Sequence, residues 1–127
     1  MDRCFEKISY NSFKKEFGEN TALYDSYKLP ERRTISSAGY DFVSLIDKTI
    51  LPGEITIIPT GVKVKMNSDE VLMIVVRSSL GFKYNIRLCN QVGIIDADYY
   101  NNPDNEGHIF ISIQNEGDKD SHSRAIY

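Results

Sequence analysis

The sequence predicts an all-β protein, a β-sandwich or a jelly-roll-like barrel, on three observations. From Ile35 onward the chain falls into many short apolar runs at close spacing. Turn-forming residues separate them: Asp47-Lys48, Pro52-Gly53, Pro59-Thr60-Gly61, Asn67-Ser68-Asp69 and Asn101-Asn102-Pro103-Asp104-Asn105. Finally, 127 residues with 41% hydrophobic and 26% charged side chains suit one soluble domain with a sizeable core.

The elements follow in order. Residues 9–17 read as a short helix, with Ser9 as N-cap, Gly18 as the C-terminal stop, and Tyr10, Phe13 and Phe17 on one stripe. Residues 18–30 are polar, end at Pro30 and read as a connector. Strands are expected at 40–45, 49–51, 55–58, 62–66, 71–77, 86–89, 92–95 and 109–113. Between Arg77 and Asn85 the strand pattern gives way to one or two helical turns opened by Ser78 and Ser79. Serine hydroxyls beside free backbone N–H groups at a helix start suit a phosphate, and an arginine adds a fork of donors for phosphate or carboxylate. The bland alternative is a serine-capped turn with a surface arginine.

The run 92–95 passes directly into Asp96-Ala97-Asp98-Tyr99, so a strand end presents a carboxylate and a flat ring. Gly93 within that run lets another backbone or a ligand come close. An ordinary strand end with a solvated turn would look the same.

A formal net charge of −3 and a pI near 5.3 argue against nucleic-acid coating or membrane-surface binding, which want a basic face. Cys4 and Cys89 have neither a disulfide framework nor a zinc spacing, and Cys89 is expected to pack as a small buried residue. His108 and His122 read as surface histidines, His122 in an irregular tail. The N-terminus starts no signal peptide and the longest apolar stretch, 71–76, is too short to span a bilayer, so a cytoplasmic protein is expected.

Four separated stretches together resemble the motif order of the trimeric dUTP diphosphatases (dUTPases). They are Ala38-Gly39-Tyr40-Asp41-Phe42 after Pro30-Glu31-Arg32-Arg33-Thr34; Pro52-Gly53-Glu54 with Pro59-Thr60-Gly61-Val62; Arg77-Ser78-Ser79-Leu80-Gly81; and Asn90 through Gly93-Ile94-Ile95-Asp96-Ala97-Asp98-Tyr99. The N-terminal helix and the 100–108 insert look like a bacterial or phage branch of that family. The resemblance implies a distorted jelly-roll-like barrel that forms a homotrimer with active sites between subunits. It divides the chain into an N-terminal helical extension (1–29), a barrel core (30–115) and an atypical or truncated tail (116–127).

It also implies an enzyme that cleaves dUTP to dUMP and pyrophosphate with Mg²⁺. Asp96 would activate the attacking water, with Asp41 and Arg77 organising the site. Ser78, Ser79 and Gly81 would bind phosphate oxygens. Asn90, Gly93 and Ile95 would face the base, and Tyr99 would lie under the deoxyribose where a 2′-hydroxyl clashes. Mg²⁺ would be held by the triphosphate rather than by direct protein ligands, which suits a hard cation that keeps its waters. Asp41 would reach it through water or act as the ion partner of Arg77, and a purely structural Asp41–Arg77 salt bridge is the bland alternative. The resemblance ends after Gly117: the Arg…Gln segment and glycine-rich arm of the family have only Arg124 as an echo. Two weaker readings share the fold: a dCTP deaminase, whose catalytic glutamate position is Ser112 here, and a non-catalytic nucleotide-binding or regulatory protein.

Overall fold

The structure is a computed structural model that describes residues 2–122. Nine short strands and three helices make up the described chain. In order they are β1 (Cys4–Lys7), α1 (Tyr10–Phe17), α2 (Thr21–Ser26), β2 (Thr49–Ile50), β3 (Ile55–Pro59), β4 (Val62–Lys65), β5 (Val71–Ile74), α3 (Ser78–Tyr84), β6 (Ile86–Leu88), β7 (Gly93–Asp96), β8 (Phe110–Asn115) and β9 (Ser121–His122). A 3-10 turn, Ala97–Tyr99, follows β7.

All pairings are antiparallel. β8 sits between β3 and β6, while β1 pairs β4, β5 pairs β7 and β2 pairs β9. The result is a distorted jelly-roll-like barrel of small sheets wrapped around one apolar core. β8 alternates strictly, turning Ile111, Ile113 and Asn115 inward. Ile58 from β3, Val64 from β4, Ile74 from β5 and Leu80 from α3 meet them. Asn115 is fully buried and fully used: its amide donates to the Ile50 and Lys119 carbonyls at 2.8 Å each, and its Oδ1 accepts from the Gly117 N–H at 2.9 Å. That side chain ties β2 and the segment after β8 to the barrel.

A second, smaller core lies beside the first. Ser9 caps α1 through its side chain, which accepts from the Ser12 N–H, and Gly18 ends the helix at φ 75°. Phe13 is fully buried and stacks with Phe17, Tyr10 and Tyr27, with Tyr24 edge-on. The ammonium of Lys7 sits 4.3 Å from the centre of the Tyr27 ring.

Gly61 joins the two cores. Its carbonyl accepts from the Ile8 N–H at 3.1 Å and from the Tyr27 hydroxyl at 2.7 Å, and its N–H donates to His108 Nε2 at 2.9 Å. Its φ is 76°, and a Cβ there would lie 2.9 Å from Leu45 Cδ1 and 3.0 Å from the Tyr27 oxygen, so glycine is required on both counts.

Several expectations need correction. The connector at 18–30 contains α2, capped by Asn20, whose Oδ1 accepts from the Leu23 N–H at 3.0 Å. The strand expected at 40–45 contributes isolated bridging only: residues 41 and 43 bridge, Asp41 opposite Glu31, while Phe42 between them turns into the core. β1 was not expected: four residues with a single inward ring, Phe5, carry too little periodicity to read. Cys89 is only half-buried. His122 lies on β9, paired with Thr49, and His108 is buried. Arg124 falls outside the described residues.

Candidate active site

The Arg-Ser-Ser turn is built where β5 runs out. Arg77 keeps extended backbone (φ −66°, ψ 148°) and stands at the N-cap of α3 without using its side chain there. Buried Leu80 pins α3 to the barrel core, which leaves Ser78 and Ser79 exposed. The N–H groups of a first helical turn have no acceptor within the helix. Leu80 and Gly81 donate to the Arg77 carbonyl at 3.1 and 3.2 Å, so the unused donors are those of the two serines. α3 closes on Asn85, in the left-handed region at φ 53°.

Arg77 and Asp41 line one cleft of about 140 Å³, together with Gly39, Tyr40 and the outer half of β5. Among the described residues neither makes an ion pair within 4.0 Å. The fold therefore brings the guanidinium and the carboxylate to the same wall and leaves both open to a third party.

The 90–99 stretch makes a second cleft. Gln91 takes φ 67° in the turn after β6, and the Val92 N–H donates to the Asn90 carbonyl at 2.7 Å. β7 then pairs with β5, Gly93 opposite Ile74 and Asp96 opposite Val71. A Cβ on Gly93 would meet Ile74 Cβ at 3.1 Å, so the close approach that glycine permits here is to the neighbouring strand. Asn90, Gly93 and Ile95 line a cleft of about 130 Å³ with Leu88 and Ser112.

Asp96 is exposed at the end of β7 and has no side-chain partner among the described residues. Asp96 faces Val71, and Arg77 is six residues further along the chain from Val71. At roughly 3.3 Å per extended residue, that separates the two motifs by on the order of 20 Å within one chain. Asp41, Arg77, Ser78 and Ser79 thus gather at one end of the β5–β7 ladder, and Asp96 stands at the other.

Tyr99 is half-buried on the 3-10 turn, packed against the barrel core. Its hydroxyl donates to the His108 carbonyl at 2.8 Å and accepts from Asn105 Nδ2 at 2.7 Å. The 100–108 insert that supplies both partners is a closed knot. Asn102 Oδ1 accepts from the Asp104 and Asn105 N–H groups at 3.0 Å each, and the Asn101 N–H donates to the Glu106 carbonyl at 2.9 Å.

Glu106 then anchors the insert to the N-terminal segment. Its carboxylate accepts from the Ser9 N–H (2.8 Å), the Ser9 and Ser12 hydroxyls (2.6 Å each) and Lys63 Nζ (2.8 Å). Burial pushes the Glu106 carboxyl upward, but the donors from Lys63, Ser12 and Ser9 outweigh it and hold it down at about 2. Burial lowers His108 to about 4, against the pull of Glu106, so the ring is neutral and its Nε2 is free to accept from Gly61. Sequence reading named Gly61 and Asn105 only as turn or motif residues, gave Glu106 no role and placed His108 at the surface. The available signal was the run of asparagines and the glycine at 101–107, which favours left-handed turns: Asn101, Glu106 and Gly107 all have positive φ.

Two motif clefts thus adjoin the Ile74–Gly93 end of a shared ladder in a jelly-roll-like barrel, and the exposed carboxylate of Asp96 stands at the other end. The chain belongs to the dUTPase family, whose model matches residues 25–122. It is 49% identical over 92 residues to the deoxyuridine 5'-triphosphate nucleotidohydrolase of Lactococcus lactis subsp. lactis (strain IL1403), covering 72% of this chain and 61% of that protein. The corresponding protein of Blochmanniella pennsylvanica is 37% identical over 100 residues, 76% of this chain and 63% of that one. This chain therefore spans about three fifths of the length of the curated relatives it matches. Among solved structures, the dUTPase from Streptococcus mutans superimposes with a TM-score of 0.73 at 40% identity, covering 95% of this chain and 85% of that one. The dUTPase of phage phi11 of S. aureus shares the fold at 24% identity, with a TM-score of 0.64 over 92% of this chain and 61% of that one. Among the described residues no helix is long and apolar enough to cross a membrane.

Proposed function

We propose that this chain hydrolyses dUTP to dUMP and pyrophosphate as a homotrimer whose sites are shared between protomers. The observation that carries the proposal is the separation of Asp96 from the Arg77-Ser78-Ser79 turn along one ladder. One chain does not close a site around one triphosphate. A head-to-tail ring, in which Asp96 and Tyr99 of one protomer meet Arg77, Ser78 and Ser79 of the next, closes three. The same ladder exposes Val71, Met73, Val75 and Ile94, each half or more accessible, an apolar strip that such a ring would cover.

In this reading the uracil ring enters the cleft beside Asn90, Gly93 and Ile95, and its sugar rests on Tyr99. The Asp96 carboxylate accepts a hydrogen bond from a water and takes its proton as the oxygen attacks the α-phosphorus. The new P–O bond forms as the bond to the bridging oxygen breaks, and pyrophosphate leaves with that electron pair. Serine hydroxyls, first-turn N–H groups and Arg77 neutralise and orient the phosphates, which supplies most of the acceleration because a carboxylate is a weak base. Among the described residues no group of three or more His, Cys, Asp or Glu could cage a metal. Asp41 is the carboxylate beside Arg77, and a Mg²⁺ held by the triphosphate and reached from Asp41 through water would fit it and would offset phosphate charge.

Pyrophosphate release from dUTP with Mg²⁺ tests the reaction. Mixing tests the shared site: Asp96→Asn and Arg77→Ala chains, each impaired alone, are expected to regain activity when co-assembled. No recovery on mixing, with both variants trimeric, would place the whole site in one chain.

A further inference from the structure

We infer that Asn105, outside every family motif in this sequence, is a positioning residue that sets the enzyme's preference for deoxyribose. The inference rests on the proposed role of Tyr99 as the platform under the sugar. An aromatic platform excludes a 2′-hydroxyl only if its ring cannot slide or tilt away. A Tyr ring is held at its far end only through its hydroxyl, and here both hydroxyl contacts come from the 100–108 insert: the His108 carbonyl at 2.8 Å and Asn105 Nδ2 at 2.7 Å.

The Asn105 amide is itself fixed in one orientation. Its Oδ1 accepts from Asn102 Nδ2 at 2.8 Å and from the Gly107 N–H at 3.1 Å, so the opposite face, the Nδ2 donor, must turn to Tyr99. Asn102 Nδ2 also donates to the Tyr99 carbonyl at 2.7 Å, which ties the backbone of the platform to the same pair of amides. Gly107 lets the loop close this tightly: it sits at φ 89°, and a Cβ there would fall 2.8 Å from the Tyr99 carbonyl oxygen. The insert is in turn fastened to α1 and β4 through Glu106. A chain of packed, fully bonded groups thus runs from the N-terminal segment to the edge of the sugar site.

The test is the ratio of kcat/KM for dUTP over UTP. Asn105→Ala is expected to lower that ratio by about three- to tenfold, the worth of one ordinary hydrogen bond. Tyr99→Phe removes both hydroxyl contacts with the insert and is expected to give a fall at least as large. Adding Asn105→Ala to Tyr99→Phe should then change the ratio no further, because the asparagine acts through the hydroxyl. An unchanged ratio in Asn105→Ala or in Tyr99→Phe overturns the inference. So does a second full fall in the double variant. If the unaltered protein releases no pyrophosphate from dUTP, the proposed function itself falls, an outcome distinct from an active enzyme whose ratio ignores Asn105.

Discussion

Asp96 and Glu106 are ten residues apart in the sequence and the fold treats them oppositely. Asp96 ends a strand in the open, with no side-chain partner among the described residues. Glu106 accepts four hydrogen bonds, one of them from a nearly buried lysine. The same contrast separates Asp41, Arg77, Ser78 and Ser79 from His108, Tyr27 and Asn115. Groups that hold the structure together find every partner inside the chain, whereas the side chains of Asp96, Asp41, Arg77, Ser78 and Ser79 are left with unused bonding capacity. That capacity is what a substrate or a neighbouring protomer would fill in the proposed function.

The contrast can be broken in four ways. The largest effect is expected from Asp96→Asn, a loss of about 10²- to 10⁴-fold in dUTP turnover, the usual worth of a positioned base. Its melting temperature should stay that of the unaltered protein, and a drop of several degrees would mean the carboxylate has a structural partner after all. Glu106→Ala should do the reverse, costing about 2–3 kcal/mol in urea unfolding by stranding Lys63 and three other donors. A stability within error of the starting protein would remove Glu106 as an anchor.

Acid should find the second region first. His108 has a lowered pKa in the fold, about 4 against an ordinary 6.5, so the unfolded chain binds more protons between those values. The stability His108 contributes is complete above pH 6.5 and is lost as pH falls toward 4. Glu106 adds a further loss from about 4.5 down to about 2. Denaturation between pH 7 and 4 should therefore show a decline of about 2–3 kcal/mol that His108→Gln flattens; a profile unchanged by that substitution would exclude the histidine. The smallest expected effect is that of Tyr99→Ala, about a tenfold fall in discrimination between dUTP and UTP, read from paired kcat/KM values. An equal loss on both nucleotides would reduce the ring to a packing role.

Much of the barrel was legible because its signals are local. Alternating Val and Ile with Pro-Gly punctuation located β2 through β8 within a few residues, and Ser9 and Gly18 bracketed α1. The motif stretches were legible as a family pattern, because their order and spacing can be read along the chain without knowing the fold, and the family model matches residues 25–122. What escaped depends on distant pairing. β1 is defined by its register with β4, and α2 by the aromatic cluster it covers. His108 looks like a polar residue at the start of a strand; only Gly61, 47 residues away, makes it an interior acceptor.

Gly61 also constrains how such a protein could be rebuilt. Three chain segments converge on the backbone of one residue, so the N-terminal arm and the loop beyond Tyr99 form a matched pair of parts. Grafting either one alone onto another dUTPase barrel would strand the serines or the carboxylate that the other satisfies. The two would have to be transplanted together, with a residue lacking a side chain kept at the junction.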